Sequence, residues 1–210
     1  MKPDFIARQG RRPSGLLGHI VARIMAMETR VENDRALELL ELHAADDVFE
    51  IGFGHGATLY RAAQIVRNGR LAGADFSDVM VKIARDRNHR CIEEGRMDLR
   101  LADTASLPFG DETFDKAYSV HTVYFWASLE QHLSEALRVL RPTGRFVLGF
   151  RPHEDANAVA SFPASIYRFR TIAEVQAALQ LSGFAVVKTV TSPLQSRLMT
   201  WIVAERPAHG

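Results

Sequence analysis

The sequence predicts an α/β domain built on a mainly parallel sheet with helices on both faces. Three observations carry this. After Asp46-Asp47, short apolar runs alternate with stretches of helical spacing, the pattern of strand–helix–strand units. The apolar runs are continuous rather than alternating, as strands buried on both faces require. The chain has 210 residues, the size of one domain.

The elements follow in order. The first dozen residues are polar and basic. Leu16, Leu17, Ile20, Val21, Ile24 and Met25 then recur at helical spacing, with His19 and Arg23 between them, and predict a helix that packs on the domain or covers a site. A second helix is expected from about Asn33 to Leu42. Val48–Ile51, Leu71–Ala74, Leu99–Ala102, Ala117–Val120 and Phe146–Phe150 read as buried strands. Helices are expected over Thr58–Val66, Ser77–Asn88 and Leu129–Leu140. Ser77 can cap the second, its hydroxyl taking an orphan amide of the first turn. Arg141-Pro142-Thr143-Gly144 stops the third, since proline and glycine prolong a helix poorly. Arg151–Arg170, with two prolines and no clear period, reads as an insertion after the fifth strand. Thr171–Leu181 reads as a helix, and Ser182-Gly183-Phe184 as the turn out of it. Phe184–Val190 and Leu198–Ala204 then read as strands. Thr191–Arg197 is too short for a crossover helix, so these two strands form an antiparallel hairpin.

Composition narrows the function. Hydrophobic residues make up 47% and charged residues 24%, which is globular. Lys+Arg 26 against Asp+Glu 25 gives no broad field to attract nucleic acid. Cys91 is the single cysteine, which excludes an intramolecular disulfide and a cysteine-built zinc site and suits a reducing, cytoplasmic setting. The N-terminal stretch lacks the apolar core of a signal peptide, and no apolar run approaches the roughly 18 residues of a membrane span. The eight histidines are scattered, none paired at i, i+4, so no metal is expected.

The most informative stretch is VFEIGFGHGATL, Val48 to Leu59. Gly52, Gly54 and Gly56 let the backbone turn tightly between strand and helix and let a ligand approach it closely. Ligands of doubly wound sheets sit beyond the carboxyl ends of the strands. Gly52-x-Gly54-x-x-Ala57 also satisfies the loose dinucleotide fingerprint, with Asp75 at a suitable distance for a ribose hydroxyl. Glu50, however, puts a carboxylate where a pyrophosphate would lie. That charge repels a dinucleotide and suits a ligand bearing an ammonium and a sulfonium.

EIGFGHG resembles the first motif of class I S-adenosylmethionine-dependent methyltransferases, an acidic residue followed by Gly-x-Gly-x-Gly. AGADFS, LADTASLPFGDETFDKAYS and EALRVLRPTGRFVLGF are similar to the later segments of that family, in order, and most of all to its type 11 small-molecule enzymes, including those methylating quinone precursors. The resemblance runs from about Leu37 to Arg206. It implies a Rossmann-like, seven-stranded, mostly parallel sheet with an antiparallel last strand. It implies S-adenosyl-L-methionine as cofactor and a small organic molecule as methyl acceptor, with neither nucleic acid nor membrane as partner. The implied cofactor residues are Glu50, Gly52, Gly54, Gly56, Asp75, Phe76, Asp103, Thr104 and Ser119. In that family Asp75 would grip the ribose hydroxyls, and Asp103 would face the exocyclic amine of adenine. SVHTVYFW, Ser119 to Trp126, lacks both the Asn-Pro-Pro-aromatic tetrapeptide of base-methylating enzymes and the magnesium carboxylates of the catechol branch. His121 and Tyr124 fall where the acceptor usually lies, His121 as a base at neutral pH and Tyr124 as an orienting ring. His19, Arg151 and Tyr167 come from candidate covering segments. The single domain divides into a helical cover (1–35), a cofactor-binding core (36–150), an insertion over the site (151–170) and a C-terminal helix and hairpin (171–210). The alternatives are a protein that binds the cofactor without turnover, and an NAD(P)-dependent oxidoreductase.

Overall fold

The computed structural model describes residues 3–11, 29–194 and 197–208. The helix expected over Leu16–Met25, with His19 and Arg23, lies outside the described residues. The described elements run α1 (Asp4–Arg11), α2 (Arg30–Leu40), β1 (Val48–Ile51), α3 (Ala57–Ile65), β2 (Leu71–Asp75), α4 (Asp78–Arg87), α5 (His89–Glu93), β3 (Met97–Leu101), β4 (Phe114–Val120), a 3-10 turn (Val123–Phe125), α6 (Leu129–Val139), β5 (Leu140–Phe150), α7 (Ala156–Ser161), α8 (Ile172–Leu181), β6 (Ala185–Leu194) and β7 (Arg197–Glu205).

The seven strands form one sheet in the order β3-β2-β1-β4-β5-β7-β6. The first five pair in parallel. β7 runs antiparallel to both β5 and β6, so the last strand is the reversed one and the hairpin forms as its short loop requires. The order reverses between β1 and β4, which is a switch point where a crevice opens beyond the strand ends.

The helices cover both faces. Val48, Leu71, Leu99, Tyr118, Val147, Trp201 and Val203 face a core shared with α2, α3 and α4 through Leu40, Leu59, Ala62 and Val81. Phe49, Ile51, Ala74, Phe146, Leu148 and Ile202 face the opposite core, closed by Leu133 and Ala136 of α6 and by Val175 and Leu179 of α8. Strand residues alternate between the faces, yet β1 and β2 are buried throughout. The edge strands β3 and β6 are half exposed instead.

Most expected boundaries fall within a few residues. Ser77 caps α4, its hydroxyl accepting the Met80 amide, and Thr171 with Glu174 makes a capping box for α8. Three features differ. α1, α5 and α7 are helices with no expected counterpart. β3 begins at Met97 rather than Leu99 and ends at Leu101. The Arg141–Gly144 turn ends α6 but is absorbed into β5 as a looped-out stretch, with the register moving from Phe114↔Leu140 to Lys116↔Arg145. Thr143 takes a positive φ of 64° there.

Candidate functional site

The glycine turn joins β1 to α3. Gly52 and Gly54 have φ of 71° and 52°, the left-handed region that side chains rarely enter. The Gly52 amide donates to the Ala74 carbonyl and the Gly54 amide to Asp75 Oδ2, each at 2.8 Å. The turn is thereby tied to the end of β2. A Cβ on Gly52 would collide with the Thr122 methyl, whereas a Cβ on Gly54 would enter open space. Gly56 serves packing: its missing Cβ leaves room for Ala84 and Asn88 of α4, and Asn88 donates to its carbonyl at 3.1 Å.

Beneath the turn, Glu50 is buried and accepts the Tyr118 hydroxyl at 2.7 Å. Burial pushes its carboxyl up to about 8, against the opposing pull of that hydrogen bond and of Arg61. Asp75 is buried too. Its Oδ1 accepts the Ser77 amide at 2.9 Å and its Oδ2 the Gly54 amide, but desolvation outweighs these donors and raises its pKa. Burial, aided by Arg87 and Arg61, pushes His55 down to about 4. The His55 Nδ1 accepts the Ala57 amide at 3.2 Å and lies 3.0 Å from Arg87. Two donors point at Nδ1, so the ring hydrogen sits on Nε2.

These groups line a cleft of about 440 Å³, within the usual range for small-molecule sites. Of the residues expected from sequence, Glu50, Gly52, Gly54, Asp75, Phe76, Asp103, Thr104 and His121 line it together. Gly56, Ser119 and Tyr124 stand behind the lining. Ser119 is wholly buried, and its hydroxyl is committed to the Ile51 carbonyl at 2.8 Å and to the Thr122 hydroxyl. Tyr124 is sunk among Phe125, Tyr167 and Phe169, so its ring does not face the cleft as an orienting residue would. None of residues 151–170 lines the cleft: Arg151 is held by Asp155 at 2.7 Å, and Tyr167 packs on Phe125. The inserted segment meets the lining through the contact of Tyr167 with Phe125.

Sequence reasoning missed several lining residues. Arg11, Thr29 and Asn33 reach the cleft from the N-terminal segments, which no local pattern reveals. Trp126 and His132 stack at 4.9 Å between centroids, 11° from parallel. The His132 Nδ1 donates to the Ser128 carbonyl at 2.8 Å. Ser128 caps α6, and that cap was the available clue that His132 begins a turn facing the loop after β4. No cluster of three or more metal-ligating side chains occurs among the described residues. No helix among them is long and apolar enough to cross a membrane.

Residues 49–148 match the family model described as a methyltransferase domain. The chain is 31% identical over 116 residues to 27-O-demethylrifamycin SV methyltransferase of Amycolatopsis mediterranei, covering 55% of this chain and 42% of that one. It is 35% identical over 103 residues to demethylmenaquinone methyltransferase of Symbiobacterium thermophilum, covering 49% and 41%. It thus spans about two fifths of the length of these curated relatives. Among solved structures, geranyl diphosphate C-methyltransferase from Streptomyces coelicolor A3(2), in complex with Mg2+, geranyl diphosphate and S-adenosyl-L-homocysteine, superposes with a TM-score of 0.70 at 15% identity. That match covers 84% of this chain and 79% of that one. At this identity the likeness speaks for the fold alone. Motif order and sheet topology agree with the domain match: residues 49–148 are similar to the methyltransferase-domain family, and the fold is Rossmann-like.

Proposed function

We propose that this chain uses S-adenosyl-L-methionine to methylate a small organic molecule. One observation carries the reading: two buried carboxylates, Glu50 and Asp75, converge with the open backbone at Gly54 on one cleft at the switch point. The donor set fits the cofactor. Glu50 opposes an ammonium group, and a cation beside it favours its ionised form. The Asp75 carboxylate takes the backbone amides of Gly54, Ser77 and Phe76, and its two oxygens, with about four lone pairs, keep capacity for a ribose hydroxyl. Asp103 and Thr104, both on the lining, would hold the adenine, and the Asp103 carboxylate is already steadied by the Ala105 amide at 2.9 Å. The space in front of Gly54 lets a ligand lie against the main chain. When bound there, the cofactor supplies a methyl group already activated by a positive sulfur. The chain then has to align the acceptor behind that methyl and exclude water, and positioning of this kind can carry most of a rate enhancement. The names of the two curated relatives, which speak of demethylrifamycin SV and demethylmenaquinone, support a small-molecule acceptor.

Thermal melting tests the reading. S-Adenosylmethionine or its demethylated product at about 100 times its dissociation constant adds roughly 2.7 kcal/mol. At about 2–4 °C per kcal/mol for a chain of this size, the melting point rises by roughly 5–10 °C. A melting point unmoved by either ligand at millimolar concentration overturns the proposal. Isotopically labelled cofactor added to cell extract then identifies the acceptor through its labelled product.

A further inference from the structure

His121 stands where β4 leaves the sheet, beside Thr122, the side chain that a Cβ on Gly52 would strike. Its backbone is left-handed at φ 62°, and its amide donates to the Gly149 carbonyl at 2.9 Å. The ring borders the cleft. Its Nδ1 lies 3.0 Å from the Tyr124 hydroxyl. Its Nε2 is buried with no hydrogen-bond partner among the described residues.

The Tyr124 hydroxyl decides which ring nitrogen holds the hydrogen. It already accepts the Arg151 amide at 2.6 Å, and it has one hydrogen to give. The His121 Nδ1 is the acceptor it reaches among the described residues. Were Nδ1 protonated instead, the phenol would accept twice and its own hydrogen would be buried unpaired, beside an equally unpaired Nε2. Buried polar groups are rarely left so. With the phenol donating, a single group lacks a partner, the buried Nε2–H of a residue on the cleft lining. Burial first, then the guanidinium groups of Arg151 and Arg197, push the imidazole down to about 3, so the ring stays neutral through the physiological range. A neutral ring whose lone pair on Nδ1 is engaged by a phenol is a poor base.

We propose that Tyr124, a positioning residue outside the cleft, holds His121 as its Nε2–H tautomer, and that this N–H donates to an oxyanion of the methyl acceptor: a phenolate, enolate or carboxylate. This rests on the methyltransferase reading of the same cleft. Arg11 on the cleft lining is a cation that an anion can meet, whereas Arg151 and Arg197, near the ring, are paired with Asp155 and Glu32. The acceptor arrives already deprotonated. Its electron pair forms the new bond to the methyl carbon, the methyl–sulfur bond breaks with its pair left on sulfur, and no proton passes to His121.

Long-range proton–nitrogen correlation spectra of the full chain at pH 7 test the tautomer directly. The expected form is Nε2–H, and Tyr124→Phe converts it to a mixture with Nδ1–H. An Nδ1–H ring in the unsubstituted chain overturns the proposal. Acetate and 4-nitrophenolate serve as oxyanion probes, each added with and without S-adenosylhomocysteine. At least one shifts the His121 Nε2 resonance, and His121→Asn, which suits a left-handed backbone, weakens its binding about tenfold or more. A resonance moved by neither probe, or binding unchanged in His121→Asn, overturns the oxyanion role. The melting shift with S-adenosylhomocysteine is read on the same samples. Its absence sinks the methyltransferase reading, while the tautomer measured in the free chain still decides this one.

Discussion

At the level of single residues, two glycines two positions apart do different work. Gly52→Ala must force a left-handed alanine into the Thr122 methyl. The backbone alone costs about 1–2 kcal/mol, and the collision adds to it. Its melting point should fall by at least several degrees. Gly54→Ala meets no atom, so it carries the left-handed backbone cost of about 1–2 kcal/mol without the collision and should lose about 2–8 °C of melting point, but its methyl would fill the space that a ligand needs. Calorimetry with S-adenosylhomocysteine separates the two: Gly54→Ala should bind about tenfold or more weakly while remaining folded. The sequence made these glycines legible as a set, because a triple glycine turn after an apolar strand has few other uses. It could not tell Gly52 from Gly54, since what lies opposite each Cβ is set by residues far along the chain: Thr122 for Gly52 and nothing within 4 Å for Gly54. The position of Tyr124 off the cleft lining has a related reason. A residue just past a strand end can point either way, and here the 3-10 turn at Val123–Phe125 rolls it into the aromatic cluster.

Among the elements, the stretch from Asp103 to Phe114 shows how a loop is held firmly enough to carry part of a site. Phe109 and Phe114 pack on Phe49 of β1, with centroids 5.1 and 4.9 Å away. Arg138 of α6 then pins the loop, donating to the Phe109 carbonyl at 2.8 Å, the Leu107 carbonyl at 3.1 Å and Asp111 at 2.7 Å. Glu135, itself held by Arg138, accepts the Leu107 amide at 2.7 Å. Hydrogen bonds involving a charged group are worth about 1.5–3 kcal/mol. Arg138 is partly exposed, so we expect Arg138→Met to cost about 2 kcal/mol net. The melting point should then drop by roughly 4–8 °C, and the affinity for S-adenosylhomocysteine should weaken through the released loop. The strands and long helices were readable because continuous apolar runs alternate with helical spacing, helped by the cap at Ser77. The short helices α5 and α7 were not, since one turn leaves no period to detect. The β5 irregularity was likewise hidden, because Arg-Pro-Thr-Gly spells a turn whether or not the chain rejoins the ladder around it.

Across the whole molecule, burial of ionisable groups at the cleft sets how stability varies with pH. Folded Glu50 keeps its proton up to about pH 8, whereas the unfolded chain releases it near the ordinary carboxylate value. Its contribution is therefore full in acid and lost as the pH rises toward 8. His55 and His121, held down to about 4 and about 3, act in the opposite sense. Below about pH 6.5 the unfolded chain takes up protons that the folded chain refuses, so stability falls with further acidification. Chemical denaturation across pH should show greatest stability near pH 6–7 in the ligand-free protein, and Glu50→Gln should flatten the decline between pH 7 and 8.5. At this scale the hairpin was legible because the short final loop admits nothing else, while the full seven-stranded topology with its reversed last strand came from the family resemblance. The walls contributed by Arg11 and Asn33 were not legible, because they depend on contacts between distant segments.

The two tryptophans occupy contrasting surroundings. Trp201 is sealed in the core, its indole N–H donating to the Glu32 carbonyl at 3.1 Å, while Trp126 lies on the cleft lining against His132. Intrinsic fluorescence should therefore offer two optical channels without any added dye. Emission from Trp126, isolated in a Trp201→Phe variant, should change as a compound occupies the crevice. Emission from Trp201, isolated in Trp126→Phe, should hold steady until the chain unfolds.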